Sequence, residues 1–167
     1  MKAFFILLCI ICIIIPIIVY TCGIVKAVTM DVNCISYLEL AGDANSVDIA
    51  YKHITTAIEY LEANNLTQGN TSIIIKSPKN DIGLWYENLK SAQAQLEQLA
   101  NKEDLTELEE SNALMKLRET LLDEGVVTHP SCISYYPAHA VWGISMLLMW
   151  LLFILAAIFG FLAYDAY

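Results

Sequence analysis

The chain has 167 residues, of which 57% are hydrophobic and 16% are charged, and its formal net charge is −9. This apolar fraction is too high for an ordinary soluble domain. The acidic balance argues against a nucleic-acid partner, because the chain would repel phosphate groups.

The first apolar run covers residues 4–20, FFILLCIICIIIPIIVY, and contains no charged residue. A membrane-spanning helix needs about 20 apolar residues, with a range of about 17 to 25. A basic start at Lys2 and a small residue at Ala27 also resemble a signal peptide, although the apolar core of such a peptide has only about 7 to 15 residues. We predict a retained transmembrane anchor over residues 1–28, with cleavage as the alternative.

The polar segment that follows shows the spacing of apolar residues that is typical of amphipathic helices. Asn45 or Ser46 can cap one of these helices, and Asn80 or Asp81 can cap the next. Helices are predicted over residues 35–44, 47–63, 82–100 and 105–123. The pattern predicts an all-α fold, in which an antiparallel bundle of three to four helices forms an extracytoplasmic domain over residues 29–137.

The loop that joins two of these helices is unusually apolar, because it contains Ile73, Ile74 and Ile75 in succession. Either these side chains fold back and seal the end of the bundle, or they form an exposed tip that a partner covers. Lys76 follows them directly in an acidic chain. We therefore take Ile73, Ile74, Ile75 and Lys76 as a candidate partner contact, at the end of the bundle far from the membrane.

The tetrapeptide CISY occurs twice, once starting at Cys34 and once at Cys132. Both copies lie near an apolar run, so the two thiols are a candidate disulfide in an oxidising compartment. On the chain-entropy model such a bond would stabilise the fold by about 4 to 5 kcal/mol. The alternatives are that the two thiols pack as small apolar side chains, or that the repeat arose by chance.

The second apolar run covers residues 141–164 and also lacks charged residues. It predicts a C-terminal transmembrane helix, which with a short tail occupies residues 138–167. Ala156 and Gly160 have the small-xxx-small spacing that allows two helices to approach closely, and they form a candidate helix-pairing face.

The orientation in the membrane is only weakly encoded, because Lys2 precedes the first run and Lys26 follows it. A long acidic segment can be translocated regardless of its charge. We predict that both termini lie inside and that the central domain lies outside, in a plasma or inner membrane. Tyr135, Tyr136 and Trp142 fit an aromatic belt at the outer interface.

Catalytic chemistry is not predicted, because the sequence contains no nucleophile elbow, phosphate-binding loop or dinucleotide fingerprint. His129 and Cys132 could meet Cys34, but a zinc site needs a fourth ligand that the spacing does not supply. Neither apolar run contains a charge of the kind that marks a transport path. We predict no enzymatic activity, no metal and no cofactor.

Three stretches of the central segment, YLEANNLTQGNTSIII, DIGLWYENLKSAQAQLE and SNALMKLRETLLDEG, resemble a group of uncharacterised small bacterial membrane proteins. These proteins have two spans and an exposed helical domain. The resemblance covers about half of the chain. It implies that the apolar loop and the two helices after it belong to one module. It implies no activity and no site residues.

These observations predict a non-enzymatic integral membrane protein, which serves as an interaction or scaffold module or as an accessory subunit of a membrane complex. Its expected partners are the lipid bilayer and either another protein or further copies of the chain. The alternative is a ligand-sensing membrane protein that signals through partner subunits. We disfavour this alternative, because the predicted cytoplasmic ends are too short to hold an output domain.

Overall fold

The computed structural model of the chain describes residues 2–165, which are mostly helical. The helices are α1 (Lys2–Met30), α2 (Ser36–Gly42), α3 (Val47–Ala63), α4 (Ile82–Ala100), α5 (Glu107–Leu121) and α6 (His139–Asp165). The described residues form two compact units. Residues 28–136 make up one, here called the helical unit. The segments before residue 28 and after residue 136 make up the other, here called the apolar helix pair.

Side-chain caps fix the starts of three helices in the helical unit. The Ser46 hydroxyl accepts a hydrogen bond from the Ile49 amide at 3.4 Å, and the Asp81 carboxylate accepts one from the Leu84 amide at 3.1 Å. These caps confirm two of the four candidates and define the starts of α3 and α4. Thr106 caps α5 in a reciprocal capping box with Glu109, which the sequence analysis did not identify.

The core of the helical unit is built around α3, which packs against α2, α4 and α5. Its buried face recurs every three or four residues, as expected for a helix with one apolar side. Full burial of one Leu or Ile side chain contributes about 1.5–3 kcal/mol. The buried residues of α3 are Val47, Ala50, Ile54, Ala57, Ile58 and Leu61.

Polar contacts hold the outer helices against this centre. Gln93 on α4 donates to the Thr55 hydroxyl on α3 at 2.8 Å, and the Tyr86 hydroxyl donates to Glu62 at 2.5 Å. The second bond raises the pKa of Tyr86 to about 12, because the neighbouring carboxylate disfavours the phenolate. The apolar spacing of residues 105–123 places Leu108 on the buried face of that helix, but Leu108 is 71% exposed, so this prediction is wrong.

The predicted short helix over residues 35–44 is observed as α2, but it does not begin independently. After α1 the chain continues as a π-helix over Asp31–Ile35 and then passes directly into α2. The Asn33 side chain donates to the Thr29 carbonyl at 2.8 Å, so it satisfies an acceptor where the helix widens. The first helical segment of the unit therefore follows α1 along the chain without a loop.

A two-residue hairpin replaces the predicted end of the fourth helix. α5 stops at Leu121, and β1 (Leu122–Asp123) pairs antiparallel with β2 (Val126–Val127). Glu124 and Gly125 at the turn have φ of 51° and 84°. Two successive residues with positive φ match the right-handed twist of a tight hairpin, and helical periodicity alone does not reveal them.

Within the apolar helix pair, α1 and α6 run antiparallel. The Cys9 thiol donates to the Ala156 carbonyl at 3.5 Å, and the Lys26 ammonium lies 5.9 Å from the centre of the Trp142 ring. Both helices are long and apolar enough to cross a membrane, as judged by length and composition. Most of their large apolar side chains are exposed, unlike those of a core helix in a soluble protein.

Candidate functional site

The apolar loop has a rigid polar base. Across this base the Asn70 side chain donates to the Ser77 carbonyl at 3.0 Å, and the Asn80 side chain donates to the Ser72 hydroxyl at 2.9 Å. The Thr71 amide also donates to the Asn80 carbonyl at 2.9 Å. Short polar side chains of this kind replace the backbone ladder that an irregular loop lacks.

The segment Ile73–Lys76, here called the tip, projects from this base. Ile73, Ile74 and Ile75 are 61%, 91% and 80% exposed, and Lys76 is exposed as well. The first alternative of the sequence analysis, in which the isoleucines fold back and seal the helices, is therefore wrong. Three consecutive isoleucines in contact with water are unfavourable, and contiguous exposed apolar side chains of this kind are typical of interaction surfaces.

The base of the loop packs against the segment that precedes α6. Gly69 has a φ of 116°, and a Cβ atom at this position would overlap the Tyr136 hydroxyl. The Ser131 amide donates to the Asn80 side chain at 3.4 Å, and the Trp85 indole donates to the Thr128 carbonyl at 2.8 Å. The loop thus lies beside the residues from which the chain enters the second apolar helix.

The two CISY cysteines are not bonded to one another. All five cysteines are free thiols; Cys34 is fully buried and Cys132 is exposed. Cys34 lies on the inner face of the π-helix, whereas Cys132 has a left-handed backbone with a φ of 59° just before a 3-10 turn. The predicted disulfide is therefore absent, because each thiol belongs to a different local environment.

The candidate helix-pairing face is split by the structure. Ala156 is buried and its carbonyl accepts the Cys9 thiol of α1. Gly160 is exposed, and a Cβ atom placed on it would meet no other atom within 4 Å. Ala156 therefore supports the contact of α6 with α1, whereas Gly160 faces away from every described neighbour.

A groove of about 310 Å³ lies between α4 and α5. Its floor includes the buried Leu96 and Leu117 and the half-buried Ala92 and Ala113. Lys116 spans it by donating to the Gln95 side chain at 3.1 Å. The other polar residues at the groove are Asn88, Ser91, Asn112 and Thr120. This groove was not predicted from the sequence. Small residues beside an apolar stripe do not show which two neighbouring helices will leave a groove between them.

Among residues 2–165, no group of three His, Cys, Asp or Glu side chains is arranged to hold a metal ion. The His129 ring lies 3.1 Å from the Pro130 carbonyl, within its own loop. The tip and the groove are the two candidate contact surfaces of the helical unit.

Comparison with protein-family models, with curated proteins and with solved structures finds no match to this chain. The resemblance to small two-span bacterial proteins accordingly stays an expectation.

Proposed function

We propose that the chain is a non-enzymatic integral membrane protein that acts as an interaction or scaffold module, or as an accessory subunit of a membrane complex. In this proposal α1 and α6 are its two spans, and α2 to α5 form an antiparallel bundle on the extracytoplasmic side. The contacts of α1 with Ala156 and Trp142 favour a retained anchor, because a cleaved signal peptide would leave α6 without them.

The groove between α4 and α5 is the observation that carries the proposal. It combines an apolar floor with polar edges, which is the surface anatomy of a site for a protein segment. Each helix beside the groove is joined to α3, since the Val47 amide donates to Glu110 of α5 and Gln93 of α4 donates to the Thr55 hydroxyl. A groove with anchored walls is preorganised, which lowers the entropic cost of binding.

The tip provides a second contact surface in the same proposal. Ile73, Ile74 and Ile75 are exposed on a hydrogen-bonded base, so their position is maintained without a partner. Any component that covers them gains apolar burial at little conformational cost.

The test is purification of the tagged full chain from its native membrane in mild detergent, followed by identification of what accompanies it. Ala113→Arg places a long charged side chain in the groove, and Ala94→Arg makes the same change at an exposed position of α4 outside it. We expect a stoichiometric partner, with recovery reduced about tenfold or more by Ala113→Arg, as for a central interface contact. Ala94→Arg should leave recovery unchanged.

Two outcomes would contradict the proposal. One is recovery of the chain with no other protein and no defined oligomer, and the other is equal recovery of the partner with Ala113→Arg and with the natural residue. Hydrogen exchange of Leu96 and Leu117, the buried residues under the groove, shows whether Ala113→Arg still folds.

The alternative, a ligand sensor, is favoured by one observation. The helical path from α1 through the π-helix Asp31–Ile35 into α2 has no loop in it. π-Helical segments are frequent at functional positions, and a continuous helix can carry a displacement along its axis. A sensor predicts that a small ligand changes the hydrogen exchange of this segment, whereas a scaffold predicts no such ligand.

A further inference from the structure

We propose that the tip Ile73–Lys76 inserts into the headgroup region of an anionic lipid bilayer. The proposal rests on the proposed function in one respect, namely that the chain is anchored in a membrane. It goes further by naming the component that covers the tip, which is lipid rather than a protein pocket.

The tip is small and highly exposed. Ile74 and Ile75 are almost completely exposed, and both follow an exposed Ile73 in a projecting loop. A stable protein interface buries about 800 Å² on each partner, which a four-residue tip does not supply by itself. A lipid surface has no such threshold, because each apolar side chain that enters it is buried independently.

Two basic side chains lie beside the tip. The chain is strongly acidic, and Lys90, Lys102 and Arg118 of the helical unit are each paired with a carboxylate. Four lysines of the helical unit, Lys52, Lys76, Lys79 and Lys116, form no ion pair within the described part of the chain. Lys76 and Lys79 are the two that lie beside the tip, and both are exposed. Two unpaired ammonium groups next to an apolar tip match the phosphates of anionic lipids, which attract basic residues at a membrane surface.

The base of the loop contacts the segment that precedes α6. Gly69 packs against Tyr136, and the Asn80 side chain accepts a hydrogen bond from Ser131. Tyr136 precedes the first residue of α6, His139, by three positions. The base of the loop is thus tied to the segment that leads into a candidate span, where a bilayer is available at high effective concentration.

The test uses the full chain with a diazirine amino acid at position 74, reconstituted into vesicles of phosphatidylcholine and phosphatidylglycerol. After irradiation, mass spectrometry distinguishes lipid adducts from protein adducts. Leu108 is the matched control position, because it is an exposed leucine in the first turn of α5. That turn contacts the start of α3 through Glu110 and Val47, whereas the tip follows the end of α3.

We expect lipid adducts at position 74 and few at position 108. Replacing both lysines, as Lys76→Gln and Lys79→Gln, should lower the yield at position 74 by about fivefold or more, and so should vesicles without phosphatidylglycerol. Equal yields at positions 74 and 108 would overturn the inference. Adducts at position 74 that join it to protein, with none to lipid, would also overturn it.

Failure of this inference is distinguishable from failure of the proposed function. If a partner still depends on Ala113 but the tip yields no lipid adduct, only the lipid inference is overturned. If lipid adducts form but no partner or oligomer is recovered, the tip remains a lipid contact and the interaction role is overturned.

Discussion

A single carboxylate organises the start of α5. Glu109 accepts a hydrogen bond from Lys102 at 2.6 Å through one oxygen, and from the Thr106 amide at 3.1 Å through the other. These contacts, with Lys102 the largest cause, lower the pKa of Glu109 from 4.5 to about 2. The pattern Thr-x-x-Glu is readable in the sequence as a capping box, and it places the helix start at Glu107 rather than at Leu105.

The lowered pKa of Glu109 predicts how α5 responds to acid. A carboxyl group whose folded pKa is depressed contributes stability above its ordinary pKa, and this contribution is lost as the pH falls through the folded value. Amide protection in the first turn of α5 should therefore decrease between pH 4.5 and about 2. Glu109→Gln should remove most of this pH dependence, because the charge that Lys102 contacts is absent.

Glu107→Gln is the control for this experiment, since Glu107 lies in the same helical turn but outside the capping box. Hydrogen exchange measured by nuclear magnetic resonance gives both responses. A decrease of equal size with Glu109→Gln and with the natural residue would contradict the assignment of the pH dependence to this carboxylate.

At the scale of elements, the sequence predicted the helices well where capping and periodicity agree. Ser46 and Asp81 are caps as expected, and α3 and α4 cover the predicted residues. The π-helix and the hairpin at Glu124 and Gly125 were not predicted. Both depend on backbone geometry that apolar spacing does not encode, and each is fixed by its packing: Cys34 and Ile35 are buried in the π-helix, and Leu122 lies against Gly42.

The contact between the base of the loop and Tyr136 can be tested at Gly69. Gly69→Ala should lower the free energy of unfolding by about 2–4 kcal/mol, because it adds a strained φ and an overlap with Tyr136. Gly125→Ala is the control, since Gly125 also has a positive φ but no atom within 4 Å of an added Cβ. Its cost should be about 1–2 kcal/mol. Equilibrium unfolding in detergent measures both.

The difference between the two glycine variants reports the contact of the loop with Tyr136. Combining Gly69→Ala with Tyr136→Leu should recover part of the loss, because the overlapping hydroxyl is removed. Equal losses for Gly69→Ala and Gly125→Ala would contradict the packing of the loop against the segment before α6.

At the scale of the whole molecule, composition predicted two apolar helices around a polar helical segment, and the structure contains both. It could not predict that the chain continues from α1 through the π-helix into α2 without a loop, or that α3 packs against both the π-helix and α2. It also could not predict that the base of the apolar loop lies beside Ser131 and Tyr136 of the same unit, because the spacing of apolar residues does not encode this contact.

The CISY repeat also shows that local sequence does not determine where a residue lies in the fold. The two tetrapeptides are identical, yet Cys34 is buried in a helix and Cys132 is exposed in a loop. Tertiary packing, and not the local sequence, therefore decides the environment of each thiol. The exposed thiol becomes useful as a reporter. It lies in the helical unit, which we propose to be on the extracytoplasmic side of the membrane.

The most direct test of the account is labelling of Cys132 in intact cells with a membrane-impermeant maleimide. The variant used for this test carries Cys22→Ser, which removes the other exposed thiol. Cys34 is kept, because it is buried. The account predicts labelling from outside the cell that is abolished by Cys132→Ser. Labelling that occurs only after the membrane is permeabilised would contradict a helical unit on the extracytoplasmic side.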